Sequence, residues 1–319
     1  MSSTVVIFGG SGFIGSHLIK RLSQAGETVV SIDRREPRER IAGVQYLLKD
    51  VRDLSDLMID GPVSRIYNFA AVHTTPGHPT HEYYDTNIAG ASEITQFAKR
   101  KNVDEIIFTS SISVYGPSED RLSEQSKPNP QSAYGWSKLL AEKIHKAWQS
   151  EAPDRRLTVV RPAVVFGPHE GGNFTRLSRL LAKGFFIYPG RTDTVKACIY
   201  VEDLLDAIEY ARSQNQGQVL FNGAYSPIYT IKDIVTTFSR NHFPKARTFV
   251  VPKGIIYFAA ACLKPLSASG LGIHPERIMK LVRSTNIEPG WLDKQGWTPP
   301  RGLEVALNQW SAQTNGKFD

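Results

Sequence analysis

The stretch Thr4 to Gly15, TVVIFGGSGFIG, decides the fold. Val5, Val6, Ile7 and Phe8 form an apolar run of the length a strand takes when both its faces are buried in a parallel sheet. Gly9, Gly12 and Gly15 follow at once, and Leu18, Ile19 and Leu22 then recur at helical spacing until Gly26 stops the segment. Strand, glycine turn and helix in that order form a phosphate site. The first glycine allows the tight turn, the second lets a pyrophosphate approach the backbone, and the third packs helix on strand. Unpaired N–H groups at the helix N-terminus face the anion. The next strand, Thr28 to Ile32, ends at Asp33, 18 residues after Gly15, where a carboxylate can accept hydrogen bonds from an adenosine ribose diol.

The rest of the chain repeats this alternation. A short strand is predicted at Val44 to Leu48, a fourth at Arg65 to Ala71, a fifth at Glu105 to Thr109 and a sixth at Leu157 to Arg161, with helices over Glu82 to Arg100 and Ser132 to Trp148. Strands and helices alternating in this way imply an α/β fold with a doubly wound parallel sheet, whose ligands bind beyond the carboxyl ends of the strands. After Gly167-Pro168 the pattern loosens, with a strand at Ala197 to Val201 and a helix at Glu202 to Ala211. The expected organisation is a dinucleotide-binding domain over 1–166 to which 193–225 return, and a smaller, interleaved substrate-binding domain from 167–192 and 226–319.

Composition excludes several classes. In a chain of 319 residues, 41% hydrophobic and 22% charged content matches a globular protein with a sizeable core. The longest apolar run, Gly254 to Leu263, is too short to span a bilayer, and no secretory leader is evident, so no membrane partner and a cytoplasmic location are expected. Cys198 and Cys262 are the only cysteines, which implies no disulfide framework. His73, His78 and His81 lie in a Pro/Gly loop without a Cys partner, so no metal site is expected. The net charge of +7 is dispersed rather than gathered in an aromatic and basic stripe, which points to a small anionic ligand and away from nucleic acid.

Chemistry enters with Tyr134 and Lys138, four apart on one helix face. An ammonium beside a phenol is expected to lower the phenol's pKa toward the range of useful proton exchange. Ser110 and Ser111 end the fifth strand, where a hydroxyl can hydrogen-bond a reacting oxygen.

GGSGFIG, Asp33, Asp50-Val51, NFAA at 68–71, TNIAG at 86–90, TSSISVYG at 109–116, YGWSK at 134–138, RPAVVFGP at 161–168 and YVEDL at 200–204 occur in an order that resembles the extended short-chain dehydrogenase/reductase family. The similarity is specifically to its nucleotide-sugar epimerases and dehydratases, and it covers nearly the whole chain. The resemblance implies a Rossmann-type fold and a catalytic set of Ser111, Tyr134 and Lys138, of which Tyr134 and Lys138 also touch the cofactor. It implies further cofactor contacts from Gly9, Gly12, Phe13, Ile14, Gly15, Asp33, Arg34, Asp50, Val51, Phe69, Ala70, Ala71, His73, Thr86, Thr109 and Pro162. Ser111, Asn173 and Lys196 are implied substrate contacts, and the two long helices imply a homodimer. Asn87 is expected to tie loop backbone together.

Departures narrow the reaction. Family dehydratases carry an Asp-Glu pair where this chain has Ile112 and Ser113, and neither can serve as acid and base for elimination. Val164 and Lys196 stand where relatives have an Asn and an Arg. The implied function is NAD-dependent epimerisation at C4 of a nucleotide-linked sugar through a transient 4-keto sugar. A 4-ketoreductase using the same residues and an inert NAD(P)-binding sensor are the alternatives. Arg34 and Arg35 could pair with the 2′-phosphate of NADP, but Asp33 repels it, so NAD is favoured over NADP. Asp33→Ala is therefore expected to weaken NAD binding and strengthen NADP binding; wild type that already binds NADP more tightly in paired titrations would mean that the arginines govern the site.

Overall fold

Thr4–Phe8 (β1) is buried along its whole length because a neighbour pairs with it on each side. The computed structural model describes residues 3–75, 77–252, 254 and 283–319. The apolar run from 254 to 263, apart from Gly254, and Cys262 lie outside the described residues. The strands in chain order are β1, β2 (Thr28–Asp33), β3 (Gln45–Leu48), β4 (Val63–Asn68), β5 (Glu105–Thr109), β6 (Ser118–Leu122), β7 (Arg156–Pro162), β8 (Val164–Phe166), β9 (Phe185–Pro189), β10 (Cys198–Tyr200), β11 (Gln218–Gly223), β12 (Arg247–Val251) and β13 (Thr285–Ile287). The main sheet runs β11-β7-β5-β4-β1-β2-β3, and the pairs joining β3, β2, β1, β4, β5 and β7 are all parallel. All six of these strands therefore end on one edge.

The helices that serve this sheet are α1 (Phe13–Gln24), α2 (Thr80–Arg100) and α3 (Ala133–Ser150). One core cluster joins Val6, Phe8, Ile32, Ile66, Ile106 and Phe108 of the strands to Ile94 and Phe97 of α2 and Ala141 and Trp148 of α3. Phe97 meets Phe8 edge-on at 5.8 Å, the geometry aromatic quadrupoles favour. Further helices are α4 (Asn173–Ala182), α5 (Val201–Ser213), α6 (Ile231–His242), α7 (Gly290–Lys294) and α8 (Gly302–Gln313).

The structure corrects several boundaries. The fourth strand stops at Asn68, because the Phe69 N–H makes a last bond to the Phe8 carbonyl at 2.9 Å before the chain turns away. Helix α1 starts at Phe13, so Gly15 lies inside it rather than in the turn. β6, with the polar sequence SEDRL, gives no apolar signal and forms only by pairing with β13.

Contacts divide the described residues into two units. The first comprises Met1–Gly116, Lys127–Pro162 and Leu204–Asn222, and the second Pro117–Ser126, Ala163–Asp203 and Gly223–Asp319. Residues 193–203 thus go with the second unit and 204–222 with the first. The second unit has its own aromatic core, in which Phe166 stacks on Phe174 at 4.3 Å and Phe318 meets Trp310 at 5.2 Å and Phe238 at 5.1 Å. Among the described residues no helix is long and apolar enough to cross a membrane. Phe97→Ala is expected to lower the unfolding free energy by about 3–5 kcal/mol in a denaturant titration; a loss under about 1 kcal/mol would contradict the packing of α2 on the sheet.

Candidate active site

The glycine loop is built by close backbone approach at the edge where the parallel strands end. Gly9 has φ +82°, and a Cβ there would lie 2.5 Å from the Ala70 nitrogen; a Cβ on Gly15 would lie 2.4 Å from the Gly9 carbonyl oxygen. No side chain can occupy either place. Gly12 precedes α1 in extended conformation and no side chain caps that helix, so its first-turn N–H groups, including those of Phe13 and Ile14, are presented to an anion rather than to a cap. Asp33 fastens the end of β2 to this loop: its Oδ2 accepts the Ser11 N–H and its Oδ1 the Arg35 N–H, both at 3.1 Å. A carboxylate has roughly four acceptor sites, so capacity is left for a ribose diol. Arg34 is exposed beside it.

Asp50 is gripped by Arg52, which donates from Nη2 at 2.7 Å and Nε at 3.0 Å and holds the carboxyl below its usual range. Val51 is buried against Gly90, where a Cβ would come within 2.8 Å of its Cγ2. Phe69, Ala70 and Ala71 are half-buried along the loop after β4, His73 is exposed, and Thr86 is buried on α2. Asn87 ties this loop down as expected: it accepts from the Val72 N–H at 2.9 Å, donates to the Val72 carbonyl at 3.1 Å and reaches the Ser137 hydroxyl at 2.8 Å. A side-chain-free cradle, an uncapped helix N-terminus and a carboxylate at the second strand end fit a dinucleotide.

Ser111 is extended and begins a single 3₁₀ turn over Ile112–Val114. Its Oγ accepts the Ser113 N–H at 3.1 Å, and its hydroxyl acts to lower the Tyr134 pKa. α3 is started by the Ser132 hydroxyl, which accepts the Gly135 N–H at 3.1 Å, and a Cβ on Gly135 would lie 2.4 Å from the Ser113 carbonyl. The helix start is thereby pressed onto the serine turn. Lys138, one helical turn on, is 2% exposed, and its ammonium sits 4.6 Å from the centre of the Phe108 ring.

The electrostatics differ from the expectation that Lys138 lowers the Tyr134 pKa. Desolvation pushes the phenol up to about 12, opposed by the Ser111 hydrogen bond, and pushes the Lys138 ammonium down to about 7. Lys138 is withdrawn from water and Tyr134 is half-buried, and the acid on α3, Glu142, is already engaged. Glu142 receives Nε and Nη2 of Arg161 at 2.8 and 2.7 Å and the Ser110 hydroxyl; Arg161 Nη1 then donates to the Tyr115 hydroxyl at 2.8 Å, and Tyr115 to Asn222 at 2.9 Å. Sequence reasoning missed this buried network, although Glu142 follows Tyr134 and Lys138 at intervals that keep all three on one face. It also missed His145, which stacks on Phe108 at 4.3 Å and faces the Asn68 amide at 3.2 Å.

Thr109 is buried at the end of β5 and Pro162 at the end of β7. Asn173 and Lys196 belong to the second unit. Asn173 is exposed at the start of α4, where Glu170 accepts the Phe174 N–H at 2.9 Å. Lys196 donates to the Arg283 carbonyl at 2.7 Å and is pushed down to about 8 by burial. Among the described residues no group of three or more His, Cys, Asp or Glu could hold a metal; His78 pairs with Glu82 at 2.8 Å.

A parallel sheet with a glycine-lined anion cradle and a Ser, Tyr and Lys set at its carboxyl edge defines a dinucleotide-dependent oxidoreductase type of site. The chain belongs to the NAD dependent epimerase/dehydratase family, whose model matches residues 5–222. It is 26% identical over 316 residues to N-acetyl-alpha-D-glucosaminyl-diphospho-ditrans,octacis-undecaprenol 4-epimerase of Escherichia coli O157:H7, covering 97% of this chain and 94% of the relative. It is 29% identical over 231 residues to UDP-glucose 4-epimerase of Lactobacillus helveticus, covering 64% of this chain and 70% of that one. The structure of UDP-glucuronic acid 4-epimerase from Bacillus cereus in complex with NAD has the same fold, with a TM-score of 0.74 at 20% identity over 98% of this chain and 99% of that chain.

Lys138 keeps its proton to about pH 10.4 when unfolded but releases it near pH 7 in the cofactor-free fold. Folding then expels a proton between these values, so stability gains with rising pH across that window. In denaturant titrations of cofactor-free protein, the stability of wild type relative to Lys138→Met is expected to rise from pH 7 to about 10; a flat difference would contradict the desolvation of Lys138.

Proposed function

We propose that the protein is an NAD-dependent nucleotide-sugar epimerase that inverts C4 through a transient 4-keto sugar. The observation that carries this reading is the close approach of Gly135 to the Ser113 carbonyl, which sets Tyr134 and, one helical turn on, Lys138 beside the Ser111 turn at the same sheet edge as the glycine cradle. NAD would be held by the Gly9 to Gly15 loop, Asp33 and the residues after β4, and would supply hydride acceptance for the oxidation and hydride donation for the return. Tyr134, as phenolate, takes the proton of the C4 hydroxyl, and Ser111 donates a hydrogen bond to the same oxygen. Lys138, whose burial lowers its own pKa to about 7, lies one helical turn away and can take up a proton in answer to negative charge formed beside it. After the keto sugar turns, Tyr134 returns the proton to oxygen. Ile112 and Ser113 leave no acid–base pair to divert the intermediate into elimination.

We assign Asn173 and Lys196 to the substrate's diphosphate or base. The assembly is proposed as a homodimer formed through α2 and α3, and light scattering at micromolar concentration is expected to give twice the chain mass; a monomer would overturn it. A cytoplasmic location belongs to the same reading. The Escherichia coli relative, matched over nearly its full length, favours a second choice of carrier, a polyprenyl diphosphate in place of a nucleoside diphosphate. Offering the same sugar on both carriers separates the two.

A ketoreductase would release oxidised cofactor at every turnover, whereas the epimerase works without added NAD(P)H. Tyr134→Phe is expected to lose at least about two orders of magnitude in turnover while retaining cofactor, as loss of a general base should; near-normal turnover would sink the assignment.

A further inference from the structure

The two-stranded sheet of β9 and β12 in the second unit carries an apolar face that nothing among the described residues accounts for. The strands pair in parallel with Phe185 beside Arg247 and Ile187 beside Phe249, so these four side chains share one face. Phe185, Ile187 and Phe249 are 41%, 46% and 54% exposed. On the opposite face Tyr188 is buried, while Val250 beside it is 53% exposed. Proteins usually blunt such faces with charge, and large exposed apolar clusters mark contact surfaces.

Cations stand at the strand beginnings of this sheet, and the acid that acts on it, Asp233, acts on Tyr188 of the opposite face. Lys183, Lys245 and Arg247 are all exposed at the beginnings of the two strands, which the Arg247 N–H joins by its bond to the Gly184 carbonyl at 2.9 Å. From Glu170 to Asp193, and again from Asp233 to Glu276, the sequence contains no intervening acidic residue. The chain has 31 acidic residues in 319, so the acid-free stretches that supply the two strands, 171–192 and 234–252, leave these cations without an acidic neighbour in sequence.

Apolar side chains bordered by Lys183, Lys245 and Arg247 fit a negatively charged bilayer surface: the rings enter the boundary of headgroups and acyl chains while Lys and Arg pair with phosphates. A protein partner of ordinary mixed charge would leave those cations uncompensated. We propose that this face docks the protein on an anionic phospholipid membrane, in contrast to the composition-based expectation of no membrane partner. The proposal stands on this surface and not on the epimerase reading, so either can fail without the other. If both hold, docking brings the protein to the interface where a lipid-linked sugar would be met.

The test is co-sedimentation of the full chain with vesicles of phosphatidylcholine alone or mixed with phosphatidylglycerol, with epimerase activity on a soluble UDP-sugar measured on the same preparations. Wild type is expected to sediment with the anionic vesicles, to be released by salt, and to stay in solution with phosphatidylcholine alone. Lys245→Gln/Arg247→Gln should weaken that binding about 25-fold, at about fivefold per cation, and Ile187→Asn/Phe249→Asn should weaken it at least as much, both with unchanged turnover. Equal recovery from both vesicle types, no recovery from either, or variants that sediment like wild type would overturn the proposal. So would Phe249→Asn shifting the oligomeric state while wild type ignores vesicles, since a second copy of the chain would then cover the face.

Discussion

Backbone packed directly on backbone at the carboxyl edge of the sheet is the constraint on which the rest of the site depends. A methyl group at Gly9 would overlap the Ala70 amide at 2.5 Å, and one at Gly15 would overlap the Gly9 carbonyl at 2.4 Å. Only with both positions bare can α1 begin where β1 ends and turn its first N–H groups outward, toward an anion. Asp33 then locks the second strand end to the loop through Ser11. The same economy recurs at Gly135, which lets α3 start against the Ser113 carbonyl and so delivers Tyr134 to Ser111.

Burial governs the chemistry of that delivery. Tyr134 and Lys138 are both shifted toward their neutral forms, and the carboxylate that could have paired with Lys138, Glu142, is engaged by Arg161 and Ser110. A fully formed Glu142–Lys138 ion pair would hold the lysine charge on the wrong side. Instead, a buried bidentate pair fixes α3 to β7, and Phe108 provides a weak electrostatic resting place for the ammonium. Lys138 is thus left able to respond to charge brought by ligands.

The fold was legible because its signals are local. Apolar runs such as Val5 to Phe8 and Ile106 to Phe108 can only be two-sided strands, and glycines immediately after the first such run announce the turn. β6 and β13 were not legible, since SEDRL and TNI are ordered by each other and, for Thr285, by the backbone at Val195 to Ala197, all distant in sequence. The Tyr134 to Lys138 spacing was readable, but its electrostatic meaning was not: the phenol's environment is set by desolvation, which depends on every element packed around it. Glu142 and Arg161 meet across 19 positions, and no local pattern announces the pairing. The exposed face of β9 and β12 was hidden for a similar reason, since overall composition averages an acid-free region with the mixed-charge remainder.

The central claim, oxidation at C4 with return of the same hydrogen, is tested most directly with a nucleotide-sugar deuterated at C4, supplied in ordinary water without added NAD(P)H. Product inverted at C4 and retaining the label in full is the predicted result, because the hydrogen leaves carbon as hydride and comes back without passing through solvent. Loss of the label to water, or turnover only in proportion to added reduced cofactor, would contradict it.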